Sequence, residues 1–285
     1  MKRRVTVSLA ALLGAAACVG LLAAAEPTAT VVLKTTEFGH GPTVVLLHSL
    51  GANRMVWMPT AKKLLAGHRV VMVDLPGHGD SALPEPFSLH ACAEALDQVL
   101  ARQKPDSAVL VAHGMGGMVA LEEIWSHPGR VKGLMVIDAA TRSTLKIPEQ
   151  QQRYFTEALE TNYDDMLKLM YGAQGPDSAQ GLERYVLAQQ VAPATMKAYW
   201  KALMNEDASA TLKDMKTPFL FVGTSRIWPD TTAWATVAKQ LGYEEAGPIA
   251  TRRIASSGAL IMKEQPDSLA AAIDEFASRV IATKK

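Results

Sequence analysis

The stretch VAHGMGGMVA, residues 111–120, has the spacing at which chemistry is often mounted. An apolar strand-like run leads into it and an apolar helix-like run leads out. Its centre reads small, any, X, any, small, the pattern by which a strand-to-helix turn presents a nucleophile. X is Gly114, so no oxygen, sulfur or carboxylate stands there to attack an acyl carbon. Glycine freely reaches backbone angles that cost a residue with a Cβ roughly 1–3 kcal/mol. A base would have to come from His40, His48, His68, His78, His90, His113 or His127, because no histidine follows residue 127. No His-x-x-x-His pair or cysteine cluster occurs, and isolated carboxylates on helices read as solvated faces, so no metal is expected. The glycine-rich GHGPT and GMGG lack the lysine of a phosphate loop and the full dinucleotide fingerprint, so no cofactor is expected either.

Elements must hold this turn, and the sequence alternates between two kinds. Short apolar, β-branched runs at 43–48, 69–74, 107–113, 131–139, 217–223 and 250–255 predict strands. Helical patterns fall at 59–66, 88–103, 115–125 and 231–242, with Ser88 as an N-cap, and a closing helix carries Pro266 in its first turn. Fully apolar strands separated by helices predict a mostly parallel α/β sheet covered on both faces. The alternation stops at 145–213, which reads as several helices without a strand. This predicts a core of 26–144 and 214–285 interrupted by a helical cap or lid. Most of the lid aromatics Tyr154, Phe155, Tyr163, Tyr171, Tyr185, Tyr199 and Trp200 are expected to pack in the core, with one or two roofing a pocket.

The 285 residues are 48% hydrophobic and balance 29 basic against 28 acidic side chains, which argues for a folded core and against nucleic acid as a partner. Lys2, Arg3 and Arg4 precede an apolar stretch at 5–25 that ends in three alanines. That composition predicts a signal peptide over 1–25 and an exported chain, periplasmic or secreted. Two alternatives stay open. The stretch, about 20 residues, is long enough to anchor an uncleaved chain in a membrane, and AAAC at 15–18 weakly resembles a lipoprotein site. If Cys18 leaves with the signal, Cys92 is alone, and its helical setting predicts a buried structural thiol.

Four segments in order give the chain a resemblance to the α/β-hydrolase fold family over nearly all of its length beyond residue 31. LLHSLGANRMVW resembles the family's oxyanion loop, VDLPGHGDS its Asp-x-x-Gly-His-Gly-x-Ser loop, AHGMGG its nucleophile elbow and SSGALIMKEQPD the segment of its last triad residue. Size and lid look most like small esterases, enol-lactone hydrolases and peroxidases. The resemblance implies a degenerate triad. The nucleophile position is Gly114 and the base position Ala259. The acid position, in GTSRIWPD, holds Ser225 or Arg226, with Asp230 nearby as the N-cap of the next helix. It also implies that the backbone N–H groups of Leu50 and Met115 survive as an oxyanion hole. Ser49, His48 and His113 are near that loop by resemblance. A serine there that packs and caps its loop is the expectation, and His48, His78 and His113 are expected to be structural.

These readings lead to the expectation of a non-catalytic pseudo-hydrolase. It would bind a small carbonyl or carboxylate ligand through Ser49, Leu50, His113 and Met115, or a partner protein. The alternative is an ester or lactone hydrolase, either an engineered inactive form or one working through non-standard residues. Gly114→Ser alone is expected to be inert, because Ala259 leaves no base.

Overall fold

The apolar runs pair into one sheet because each is too short and too uniformly apolar to be solvated on either face. In the computed structural model, which describes residues 31–103, 108–143, 148–172 and 178–282, seven strands form. They are β1 (Thr35–Phe38), β2 (Thr43–Leu47), β3 (Arg69–Val73), β4 (Ala108–His113), β5 (Gly133–Ile137), β6 (Phe219–Thr224) and β7 (Ala250–Ile254). Their spatial order is β1-β3-β2-β4-β5-β6-β7, and every pairing is parallel except β1 with β3. The predicted signal peptide at 1–25, with Cys18, lies outside the described residues.

Successive side chains of a strand point to opposite faces, and the two cores follow that alternation. Val45, Leu47, Leu110, Ala112, Leu134 and Val136 face α2 (Leu89–Ala101) and α3 (Met115–Ser126), whose Leu96, Val99, Val119 and Leu121 fill that layer. Val44, Leu46, Val109, Val111, Met135 and Ile137 face the other way, onto α1 (Met58–Leu64) and the last helix, which supplies Leu269, Ile273 and Phe276. Ser88 caps α2 as the sequence predicts, its hydroxyl accepting the Ala91 N–H at 2.9 Å.

Between β5 and β6 the chain forms only helices: α4 (Glu149–Thr161), α5 (Tyr163–Gly172), α6 (Ser178–Gln189), α7 (Pro193–Asn205) and α8 (Ser209–Lys213). After β6 come α9 (Trp234–Leu241), α10 (Ile261–Glu264) and α11 (Pro266–Ala282). Two buried tyrosines tie the inserted helices to the loops at the sheet's carboxyl edge. Tyr171 donates to the Leu50 carbonyl at 3.1 Å and Tyr199 to the Pro76 carbonyl at 3.0 Å. Tyr199 also meets Cys92 of α2, whose Sγ lies 3.5 Å from the phenol oxygen. Burial pushes that thiol up to about 12, in keeping with the inert cysteine expected. No helix among the described residues is long and apolar enough to cross a membrane.

Candidate active site

Strand register decides which loops meet. Leu47 pairs with Ala112 across β2 and β4, and His113 pairs with Ile137 across β4 and β5. Two steps past Leu47–Ala112, Ser49 stands beside Gly114, and one step past His113–Ile137, Gly114 stands beside Asp138. The loops after β6 and β7 complete the same edge. This is the edge of an open α/β sheet where ligands bind.

At the elbow Gly114 has φ 52° and ψ −120° and precedes the first residue of α3. A side chain is disfavoured there on backbone grounds alone. Space forbids it too. A Cβ on Gly114 would collide with the Ser49 hydroxyl and come within 2.9 Å of the Ser49 Cβ. The Ser49 Oγ thus occupies the volume that an elbow nucleophile would use, and it accepts the Met115 N–H at 3.3 Å. Two neighbouring glycines are set by packing. A Cβ on Gly116 would sit 2.6 Å from the His48 carbonyl oxygen, and one on Gly117 would strike the Ala139 methyl. Of the two expected oxyanion donors, Met115 N–H is turned to Ser49, while Leu50 N–H has no acceptor among the described residues.

The three nearby histidines differ in what their nitrogens do. His48 donates from Nδ1 to the Ser49 carbonyl at 2.8 Å and accepts the Leu75 N–H at Nε2, 3.0 Å away. His78 donates from Nδ1 to the Pro76 carbonyl at 3.0 Å and accepts the Gly51 N–H at 3.4 Å. Both imidazoles are held as one neutral tautomer by backbone, so neither can take a proton from a substrate group. Burial lowers His48 to about 4 and His78 to about 3. His113, also buried, has no hydrogen-bond partner among the described residues and lines the same cavity as Ser49. Burial, then the guanidinium groups of Arg226 and Arg184, then His48, lower it to about 3.

The expected acid position holds no carboxylate. Ser225 and Arg226 follow β6, and Arg226 reaches back to Asp138 at 3.7 Å. Asp138 ends β5 with φ 48°, is fully buried at its side chain, and accepts the Thr224 N–H at 2.8 Å and the Thr224 hydroxyl at 2.5 Å. Its burial raises it above the ordinary carboxylate range. This carboxylate was not singled out from the sequence; the signal was an aspartate closing an apolar strand in VIDA. Asp230 is not the cap expected of it. The cap of α9 is Ala233, and Asp230 instead pairs with Arg253. Ala259 is buried in the loop after β7, where Glu264 accepts the Gly258 and Leu260 N–H groups. That loop keeps its shape without an imidazole.

Ser49, Leu50, His113 and Ala259 line one cavity, roofed by Tyr171 and Arg184 of the inserted helices. Its volume is about 20 Å³, room for about one water. Anything larger than water enters only if α5 and α6 move away.

Comparison with known proteins places this geometry. Residues 44–272 match the alpha/beta hydrolase family, and the chain belongs to it. A pimeloyl-[acyl-carrier protein] methyl ester esterase of Pseudoalteromonas atlantica is 34% identical over 157 residues, 52% of this chain and 59% of that protein. The chain thus spans little more than half of that relative's length. The corresponding esterase of Edwardsiella ictaluri is 32% identical over 189 residues, 62% of this chain and 72% of that protein. Among solved structures, an esterase from Exiguobacterium antarcticum superposes with a TM-score of 0.72 at 19% identity, covering 87% of this chain and 96% of that one. That likeness shows the fold.

These findings overturn the expectation of a non-catalytic pseudo-hydrolase. The relatives just described are named as esterases. The expectation rested on the empty elbow, and the fold brings the Ser49 hydroxyl, from the loop after β2, against Gly114.

Proposed function

We propose that this chain hydrolyses carboxylic esters, with Ser49 standing in for the missing elbow nucleophile. The observation that carries the reading is the Ser49 Oγ lodged in the volume a Gly114 side chain would fill. His113 is the base, because it shares the cavity with Ser49 and is the one neighbouring imidazole without a backbone partner. Ser49 loses its proton to His113 as its oxygen bonds the acyl carbon. The charge that develops on the carbonyl oxygen falls to the Leu50 N–H and the N-terminal end of α3. The alcohol leaves with the proton held by His113, and water then cleaves the acyl-serine by the same exchange. A base held near 3 is neutral at any ordinary pH but weakly basic, so slow turnover is expected. Methyl esters are the first substrates to try, because the relatives are named for hydrolysing one.

The test is hydrolysis of short-chain p-nitrophenyl and methyl esters by the purified chain and by Ser49→Ala, with peptide mapping after a fluorophosphonate probe. Turnover lost in Ser49→Ala and a label on Ser49 are expected. No turnover in the native chain, or turnover unchanged in Ser49→Ala, overturns the reading.

A further inference from the structure

The far end of α3 gathers side chains that the ester reaction does not use. Asp97 on α2, Glu123 on α3 and His127, the C-cap of α3, each offer a ligand atom, and these atoms lie within 4.8 Å of one another. Glu123 and His127 are four residues apart and so share a helix face. The His127 imidazole sits between two carboxylates, with Nδ1 3.0 Å from Glu123 and Nε2 3.3 Å from Glu94. Arg130 grips Asp97 bidentately, its Nε and Nη2 each donating to one carboxylate oxygen. Glu123 has a fully buried side chain, and its Oε1 receives no donor from any described residue. A buried carboxylate oxygen without a donor is costly unless something positive reaches it.

We infer that Asp97, Glu123 and His127 form a site for one divalent transition-metal ion, of the kind that takes mixed imidazole and carboxylate ligands, such as Zn²⁺. The ion is ligated by the free Oε1 of Glu123 and by an imidazole nitrogen of His127, a donor set suited to such a metal. Asp97 joins by sharing the carboxylate that Arg130 holds. Twelve residues of rise put the site about 18 Å from the elbow, so its role is structural: it clips α2 to the helix that carries the elbow. The sequence reading passed it over because the ligands lie on two helices, and only the Glu-x-x-x-His half is visible in the chain.

The test uses the whole chain after chelation and dialysis, titrated with ZnCl₂ by calorimetry and followed by thermal melting. One equivalent is expected to bind and to raise Tm by several degrees. Both effects are lost, with affinity down at least 100-fold, in Glu123→Gln and in His127→Ala. Glu123→Gln keeps the volume of the buried side chain and guards against a result due to unfolding, and Co²⁺ should give a visible absorption band that both variants abolish. Absence of saturable Zn²⁺ binding, or binding retained in either variant, overturns the inference.

Discussion

One helix, α3, has a buried titratable site at each end, and the two ends are opposites. At its N-terminus His113 is desolvated beside two guanidinium groups and is driven down to about 3. At its C-terminal end Glu123 is desolvated, with Asp97 and Glu94 nearby, and is driven up to about 9. Burial does the same thing in both places, which is to disfavour the charged form, and the neighbours add to it with opposite signs. The elbow end has shed side chains and kept backbone donors, which suits negative charge that develops during a reaction. The other end gathers two carboxyl groups and an imidazole around one point, which suits a resident cation. The helix dipole points the same way at both ends.

Acid should break the first end most severely. The unfolded chain protonates His48, His78 and His113 near pH 6.5, whereas the folded chain resists until about pH 3–4. Stability is therefore full above pH 6.5 and is lost as pH falls, by about 1.4 kcal/mol per pH unit for each imidazole. A steep fall of Tm between pH 6.5 and 4 checks this. Ser49→Ala should lower kcat/KM for short-chain esters at least 100-fold, on the order of 3 kcal/mol, with little change in Tm. Gly114→Ala meets both a positive φ and the Ser49 hydroxyl. It should cost roughly 2–4 kcal/mol, read by denaturant melting, and Ser49→Gly in the same background should recover part of the loss. At the other end, Glu123→Gln without added metal should raise Tm by a few degrees at pH 7.5. The gain should vanish below pH 4.5, because a raised carboxyl pKa costs stability only where the unfolded carboxyl is ionised. The smallest effect is expected from Arg226→Gln. It removes one cation from beside His113 while keeping a donor for Asp138. The acid limb of the pH–rate profile should move up by less than one unit.

Much of the fold was legible because its signals are local. RVVMVD and TVVLLH are too apolar to be anything but covered strands, and Ser88 is a cap three residues from the N–H it accepts. The edge strand β1 is short and mostly polar, TTEF, and it borrows its order from β3. The scaffold of the site was legible for the same reason, down to the elbow and the loop bearing Ala259. Ser49 and His113 were legible as lining residues, but the contact of Ser49 with Gly114 was not. Ser49 and Gly114 are far apart in the chain and meet only because β2 and β4 are neighbours in register. Asp230 looked like a cap because it precedes a helix, and a three-residue shift in where that helix begins gave it to Arg253 instead.

The Cys92 thiol, sealed beneath Tyr199, gives the protein a clock. A thiol reagent can reach that sulfur only during the instants when α7 lifts from the core. Its labelling rate, read at Cys92 by peptide mapping, counts those instants directly. Esters that turn over faster than Cys92 is labelled would enter by a shorter excursion of α5 and α6 alone. Esters that keep pace with it would wait for the whole cap to part.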